Sequence, residues 1–296
     1  AVLTGPAGRR ASRSMRAGKA VESCHDEPRI LMKHDTLLNR RTLFKTSLLA
    51  AGGAALGSSA GAAESRRNPS GVGGYDYRLP SFKPESRLVF QGDSITDMNW
   101  GRNERDRNHY LGHSYVYLIA ARLGVDLAQA KLQFFNRGMS GHGIRNLRDR
   151  WQKDAIDMQP DLLSILIGIN DTSNGADLKR PAAEWEADYR FMLEASRKAN
   201  PELRLVLLDP FVLPTGGLKD PAQLAARRAQ VDQLAGIVVR LAEDFQAVHI
   251  RTQEIYDAAA RSAEPANWIW DGIHPLPQGH ELMARNWLEE VSGRWH

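Results

Sequence analysis

From Arg87 onward the chain alternates between short apolar runs and longer stretches in which apolar residues recur at helical spacing. The short runs are residues 88–90, 132–135, 162–167, 203–208 and 247–250. They are nearly continuous rather than apolar at every second residue, the pattern of strands buried on both faces of a parallel sheet. Between them, residues 114–123, 144–157, 182–199 and 222–245 read as helices. In a closing stretch, 278–291, Met283, Trp287 and Val291 stand four apart, so one helix face can lie on the sheet. Strands separated by helices predict an α/β fold, a three-layer sandwich around a five-stranded parallel sheet. No internal repeat or second domain interrupts it, and the domain is expected to run from 87 to 296.

Ahead of the alternation the pattern changes. Asn39-Arg40-Arg41-Thr42-Leu43-Phe44-Lys45 is followed by a mildly apolar run over 48–56 and by Ala60-Gly61-Ala62-Ala63. Charge, weak hydrophobicity and small residues in that order resemble a twin-arginine export signal with a cleavage site. The run is about ten residues long, against roughly 20 for a spanning helix, so removal is expected and not a stable membrane anchor. Residues 1–63 therefore read as a targeting region and the protein as exported, periplasmic or extracellular. Met32-Lys33-His34 makes a conventional start for such a signal, and 1–31 are expected to lie outside the natural product. Residues 64–86, with Asn68-Pro69-Ser70-Gly71 and Pro80, read as a linker.

Composition narrows the classes. With 42% hydrophobic and 25% charged residues the chain matches neither a disordered nor a multi-span membrane protein. The net charge of +4 suggests a nucleic-acid partner until it is located: residues 1–63 hold 10 Lys/Arg and 4 Asp/Glu, leaving 29 basic and 31 acidic groups beyond them. The body is not basic, and no nucleic acid is expected. The one cysteine, Cys24, excludes an internal disulfide and any cysteine cage for zinc or iron-sulfur.

In parallel α/β sheets ligands gather beyond the carboxyl ends of the strands. There the sequence places Gln91-Gly92-Asp93-Ser94-Ile95-Thr96-Asp97, Asn136-Arg137-Gly138-Met139-Ser140-Gly141 and Gly168-Ile169-Asn170-Asp171, with Trp270-Asp271-Gly272-Ile273-His274-Pro275 near the end. A serine becomes a nucleophile when a base takes its proton and a third group holds that base in the right tautomer. Ser94, His274 and Asp271 can supply these roles. Pro275 disfavours a helical His274, so base and carboxylate share one extended loop. A tetrahedral intermediate also needs donors aimed at its oxyanion, and the backbone N–H groups of Ser94 and Gly138 and the Asn170 amide are the candidates.

These four blocks, in this order, resemble the SGNH hydrolases of the GDSL esterase superfamily. The resemblance spans 87–291 and places the family's serine on Ser94, glycine on Gly138, asparagine on Asn170, and aspartate and histidine on Asp271 and His274. It implies the SGNH hydrolase fold, a flavodoxin-like sandwich. Ile95 replaces the usual leucine, and the family often has asparagine where His142 stands. Leu111-Gly112-His113-Ser114-Tyr115-Val116, Arg150-Trp151, Pro160-Asp161 and Trp270-Asp271 are similar to bacterial acetylxylan esterases and related carbohydrate deacetylases. The implied activity is hydrolysis of acetyl or other short acyl esters on a saccharide by a serine acyl-enzyme route. The alternatives are a lipid-directed esterase or thioesterase on the same scaffold, and a carbohydrate-binding protein without turnover.

Other features point less far. Trp100, Tyr110, Trp268 and Trp270 offer aromatic faces to a sugar, Trp270 the best placed beside Asp271. His109 and His113 have metal-ligand spacing but no third ligand, and Asp93, Asp97 and Asp171 read as solvated loop carboxylates rather than cation ligands. Neither metal nor cofactor is expected. The loops 98–109 and 210–221 are expected to shape the pocket, and a homo-oligomer is left open.

Overall fold

In a computed structural model of the chain, residues 77–296 are described. The expected export signal, the stretch before it and 64–76 of the expected linker lie outside the described residues.

Five parallel strands, β1 (Arg87–Gly92), β2 (Gln133–Gly138), β3 (Leu162–Leu166), β4 (Arg204–Leu208) and β5 (Val248–Ile250), form one sheet in the order β2-β1-β3-β4-β5. The apolar runs divide between its two faces because successive side chains of a strand point oppositely. Leu88, Phe90, Leu162, Leu166, Val206 and Leu208 join one core. Val89, Leu163, Ile165, Leu205 and Leu207 join the other. Each such fully buried Leu or Phe contributes about 1.5–3 kcal/mol of transfer free energy.

The first core is covered by α2 (Tyr115–Asp126), α6 (Thr252–Ser262) and α7 (Pro277–Arg294). The expected stripe of Met283, Trp287 and Val291 is fully buried there, and the Trp287 indole N–H donates to Ser164 Oγ, 3.1 Å away in β3. The second core is covered by α3 (Ile144–Asp149), α4 (Ala182–Ala199) and α5 (Pro221–Asp244). A short helix, α1 (Ser94–Asp97), follows β1 directly. This is the three-layer α/β sandwich expected from the alternation.

The structure departs from the sequence reading in three places. Helix α6 was not expected. The single helix expected over 144–157 is α3 followed by a π-helical turn, Gln152–Ile156, so Ile144, Leu147, Trp151 and Ala155 all reach the core across a break at Arg150. Residues 77–86, expected within a linker, are seated on the fold: Tyr77 is buried and donates to Asp126 Oδ2 at 2.7 Å, and Ser81 N–H donates to the Trp295 carbonyl at 2.6 Å. The Arg204 guanidinium lies over the rings of both Phe82 and Trp295, 5.4 and 5.2 Å from their centroids. Aromatic residues, which a linker does not need, hold this stretch down.

Because β2 and β3 flank β1, the connection from β1 to β2 and the one from β2 to β3 run in opposite directions along the sheet, and ligands bind outside the carboxyl ends of the strands at such a switch point. The motif residues after β1, β2 and β3 meet there.

Candidate active site

The turn from β1 into α1 needs glycine. A Cβ on Gly92 would stand 2.3 Å from Thr96 Oγ1 and 2.6 Å from the Leu166 carbonyl. Asp93 then caps α1, its Oδ1 accepting from Ile95 N–H at 3.0 Å, and Ser94 occupies the first helical position, half-buried. The helix stops after one turn, with Met98 and Asn99 at φ of 33° and 59°.

Ser94 Oγ lies 2.7 Å from His274 Nε2, although 180 positions separate them in the chain. The other ring nitrogen, Nδ1, lies 2.6 Å from Asp271 Oδ2. A carboxylate at Nδ1 holds the proton there and leaves Nε2 free to accept from the serine hydroxyl. Asp271 Oδ1 accepts from the N–H groups of His274 and Ile273 at 2.8 and 3.0 Å. Burial alone would raise the Asp271 pKa, but these N–H donors and the imidazole outweigh it and hold the carboxyl below its ordinary range. The expected loop 210–221 supports this aspartate rather than only framing a pocket. A Cβ on Gly216 would stand 2.4 Å from Asp271 Cα, and Leu213 N–H donates to the Gly272 carbonyl at 3.0 Å.

Asn170 lies in a tight turn after β3, reached through Gly168 at φ 134°. Its Nδ2 donates one hydrogen to the His142 carbonyl at 3.0 Å, which fixes the amide and leaves the second hydrogen. Gly138 does not match its expected part. Its N–H donates to Asn136 Oδ1 at 2.9 Å, and a Cβ there would stand 2.3 Å from Asp97 N, so its place is in the packing of β2 against α1. Gly141, three residues on, was not singled out by the sequence reading. It is exposed, at φ 81°, and neither its N–H nor that of Ser94 has an acceptor among the described residues. Ser140 before it is tied to α1, with N–H and Oγ donating to Asp97 Oδ2 at 2.9 and 2.7 Å. His142 after it is tied to Asn170. Gly141 is thus held between the helix that carries Ser94 and the turn that carries Asn170.

Asp93, Asp97 and Asp171 are not the solvated carboxylates expected; all three are buried. Asp97 accepts from Arg102 at 2.6 Å as well as from Ser140, and these contacts outweigh burial to hold its carboxyl below the usual range. Asp171 accepts from Ile144 N–H at 3.1 Å through both oxygens, yet burial pushes its carboxyl up. Burial pushes Asp93 up to about 7, and its Oδ2 has no partner among the described residues. Of the four aromatic candidates, Trp100 is buried and donates to the Gly138 carbonyl, while Tyr110 and Trp268 pack against the core. Trp270 is 62% exposed, with its ring centroid 6.5 Å from that of His274 at an interplanar angle of 30°.

This geometry has relatives. The model of the GDSL-like Lipase/Acylhydrolase family matches residues 90–282. The chain is 31% identical over 217 residues to an acetylxylan esterase of Geobacillus stearothermophilus, covering 71% of this chain and 95% of that one. The crystal structure of that esterase superposes with a TM-score of 0.61. A protein of Parabacteroides merdae described as a GDSL-like lipase superposes with a TM-score of 0.67 at 32% identity, over 72% of this chain and 98% of that one. The solved structures of the Geobacillus enzyme include catalytic mutants at a serine, an aspartate and a histidine, the last two three positions apart.

Proposed function

The chain belongs to the GDSL-like lipase/acylhydrolase family of carboxylic ester hydrolases, and from that premise we propose that it removes acetyl or other short acyl groups from a saccharide through an acyl-enzyme on Ser94. The observation that carries the reading is the unbroken contact from Ser94 Oγ through the His274 ring to Asp271, at 2.7 and 2.6 Å. Ser94 Oγ attacks the ester carbonyl as its proton passes to His274 Nε2. Asp271 keeps the ring oriented and stabilises the imidazolium. The carbonyl oxygen becomes an oxyanion, and the donors left open to it are the N–H groups of Ser94 and Gly141 and the second hydrogen of the Asn170 amide. Gly141 takes the place first expected of Gly138, whose N–H is already engaged. Collapse of the intermediate expels the sugar oxygen, which leaves as a hydroxyl with the proton from His274. Water then attacks the acyl-serine, giving its proton to His274, and the second collapse releases the carboxylic acid and returns the proton to Ser94.

Three observations support the saccharide as substrate: the similarity to an acetylxylan esterase, the Trp270-Asp271 pair, and the exposed Trp270 ring beside the base. The Arg40-Arg41 segment supports action outside the cytoplasm, on polymeric or oligomeric acetylated glycans.

The deciding experiment compares acetate release from acetylated xylo-oligosaccharides with hydrolysis of acetyl and octanoyl aryl esters, for the protein and for Ser94→Ala. The expected result is preference for acetyl over octanoyl and a loss of several orders of magnitude in the variant. Preference for octanoyl would favour the lipid-directed reading, and activity retained by folded Ser94→Ala would overturn the mechanism.

A further inference from the structure

Arg150 stands at the break between α3 and the π-helical turn, with only 13% of its side chain exposed. Its guanidinium donates in three directions. Nη1 reaches Gln91 Oε1 at 2.9 Å and Asp154 Oδ2 at 3.1 Å, Nη2 reaches the Gly92 carbonyl at 3.2 Å, and Nε reaches His142 Nδ1 at 3.3 Å. Gln91 and Gly92 are the last residues of β1, three and two positions before Ser94. His142 closes the turn that contains Gly141: its N–H donates to the Met139 carbonyl at 3.1 Å, and its own carbonyl accepts from Asn170. The Gly92 carbonyl also accepts from Met139 N–H at 3.0 Å. One side chain therefore fastens the strand that presents the serine to the turn that presents Gly141 and orients Asn170.

We propose that Arg150 is a positioning residue for ester hydrolysis, setting the separation and angle of the three oxyanion donors by holding the end of β1 against the His142 turn. The inference rests on the acyl-enzyme reading above. An arginine suits the task where a lysine does not, because a planar fork with five N–H donors meets four acceptors from three elements at fixed angles, whereas an ammonium is a single point. His142 is the relay. Burial, with the charges of Arg150 and Arg102, keeps its ring below the ordinary imidazole range, so Nδ1 stays open to accept. No donor of Arg150 is needed at the substrate for this role, since the donors of an oxyanion hole act only when held at hydrogen-bond distance, about 2.7–3.1 Å, from the place the developing charge will occupy.

The test uses the full chain and 4-nitrophenyl acetate, with Arg150→Ala, Arg150→Lys and His142→Ala. Arg150→Ala is expected to lose about a hundredfold in kcat, the scale of one lost oxyanion donor, with KM within threefold. Guanidinium chloride well below denaturing concentrations restores part of that kcat saturably, and sodium chloride of equal ionic strength does not. Arg150→Lys stays about tenfold or more below the parent. His142→Ala, at a half-exposed position, loses about tenfold in kcat without lowering Tm, because the turn then loses its tie to the guanidinium. A folded Arg150→Ala with kcat within twofold of the parent overturns the proposal. Loss matched by Arg150→Ala and Arg150→Lys but indifferent to guanidinium overturns it too, since that pattern belongs to general destabilisation. If Arg150→Ala does not fold, His142→Ala decides: kcat within twofold of the parent overturns the proposal. Stoichiometric labelling of Ser94 by a fluorophosphonate in the parent separates the two levels. Its absence defeats the acyl-enzyme reading itself, whereas labelling with Arg150 variants at full activity defeats only the positioning role.

Discussion

Gly138 donates its backbone N–H to Asn136 Oδ1, 2.9 Å away, and this bond separates it from Gly141, whose N–H has no acceptor among the described residues. An N–H already engaged inside the fold stabilises the fold; one left open can meet a developing charge. The two are separated by replacing each glycine with an α-hydroxy acid, which puts an ester oxygen where the N–H was and preserves backbone freedom. At Gly141 the expected result is a loss of about 10²–10³ in kcat for an aryl acetate with little change in denaturation midpoint. At Gly138 the expected result is a loss of about 0.5–1.5 kcal/mol of stability, with kcat per folded molecule nearly preserved. The reverse pattern would return the donor to Gly138.

The difference between those two glycines also marks how far the sequence could be read. The sheet was legible because the strands carry nearly continuous apolar runs, and Leu162 to Leu166, interrupted only by Ser164, is identified as buried on both faces without knowledge of its neighbours. Ser94, Asp271 and His274 were legible as candidates from their residue types and from the blocks that resemble the family, and the folded chain brings the three into contact. Gly141 was not. Its fitness depends on tethers made by its neighbours, Ser140 to Asp97 and His142 to Asn170, which only the folded chain brings together. The same holds for Asp93, Asp97 and Asp171: three aspartates after strands read as solvated, and tertiary packing buried them all. Helix α6 escaped because it follows β5 with only Arg251 between and offers few large apolar residues, Ile255 and Tyr256 among them, to show a period.

Asp93 predicts a pH dependence of stability. Its carboxyl is raised from 3.8 to about 7, chiefly by burial. Between those values the folded chain holds a proton that the unfolded chain has released, so this group's contribution is full below about pH 4 and is lost as pH rises through about 7. Asp93→Asn keeps an oxygen for Ile95 N–H and cannot ionise. Urea denaturation from pH 4 to 8 should show the variant gaining on the parent as pH rises. Parallel stability curves across that range would mean that Asp93 does not change its proton on unfolding.

His280 predicts the opposite slope at lower pH. It lies buried at the start of α7, with Nδ1 accepting from Tyr115 N–H at 3.2 Å and Nε2 without a partner among the described residues. Burial, with His113 and His274 nearby, lowers its pKa from 6.5 to about 3. Between those values the unfolded chain binds a proton that the folded chain refuses, so stability is lost as pH falls from about 6.5 towards 3. His280→Asn retains an acceptor for Tyr115 and removes the titration. Its Tm should fall less steeply than the parent's on acidification, and an equal fall in both proteins would assign the acid sensitivity elsewhere.

Trp270 separates recognition of the sugar from the chemistry. An indole that is 62% exposed contributes little to folding, so Trp270→Ala should leave Tm nearly unchanged. Its ring lies beside the ring of His274, the base assigned to protonate the leaving sugar. A pyranose stacked there would gain about 0.5–1.5 kcal/mol, roughly two- to thirteenfold in affinity. Because that contact exists before and during the reaction alike, its loss should appear in KM for an acetylated xylo-oligosaccharide, with kcat changed much less. An aryl acetate has no pyranose to stack, so its KM should move less than the oligosaccharide's. Equal shifts on both substrates would mean that Trp270 acts through His274 rather than through the sugar.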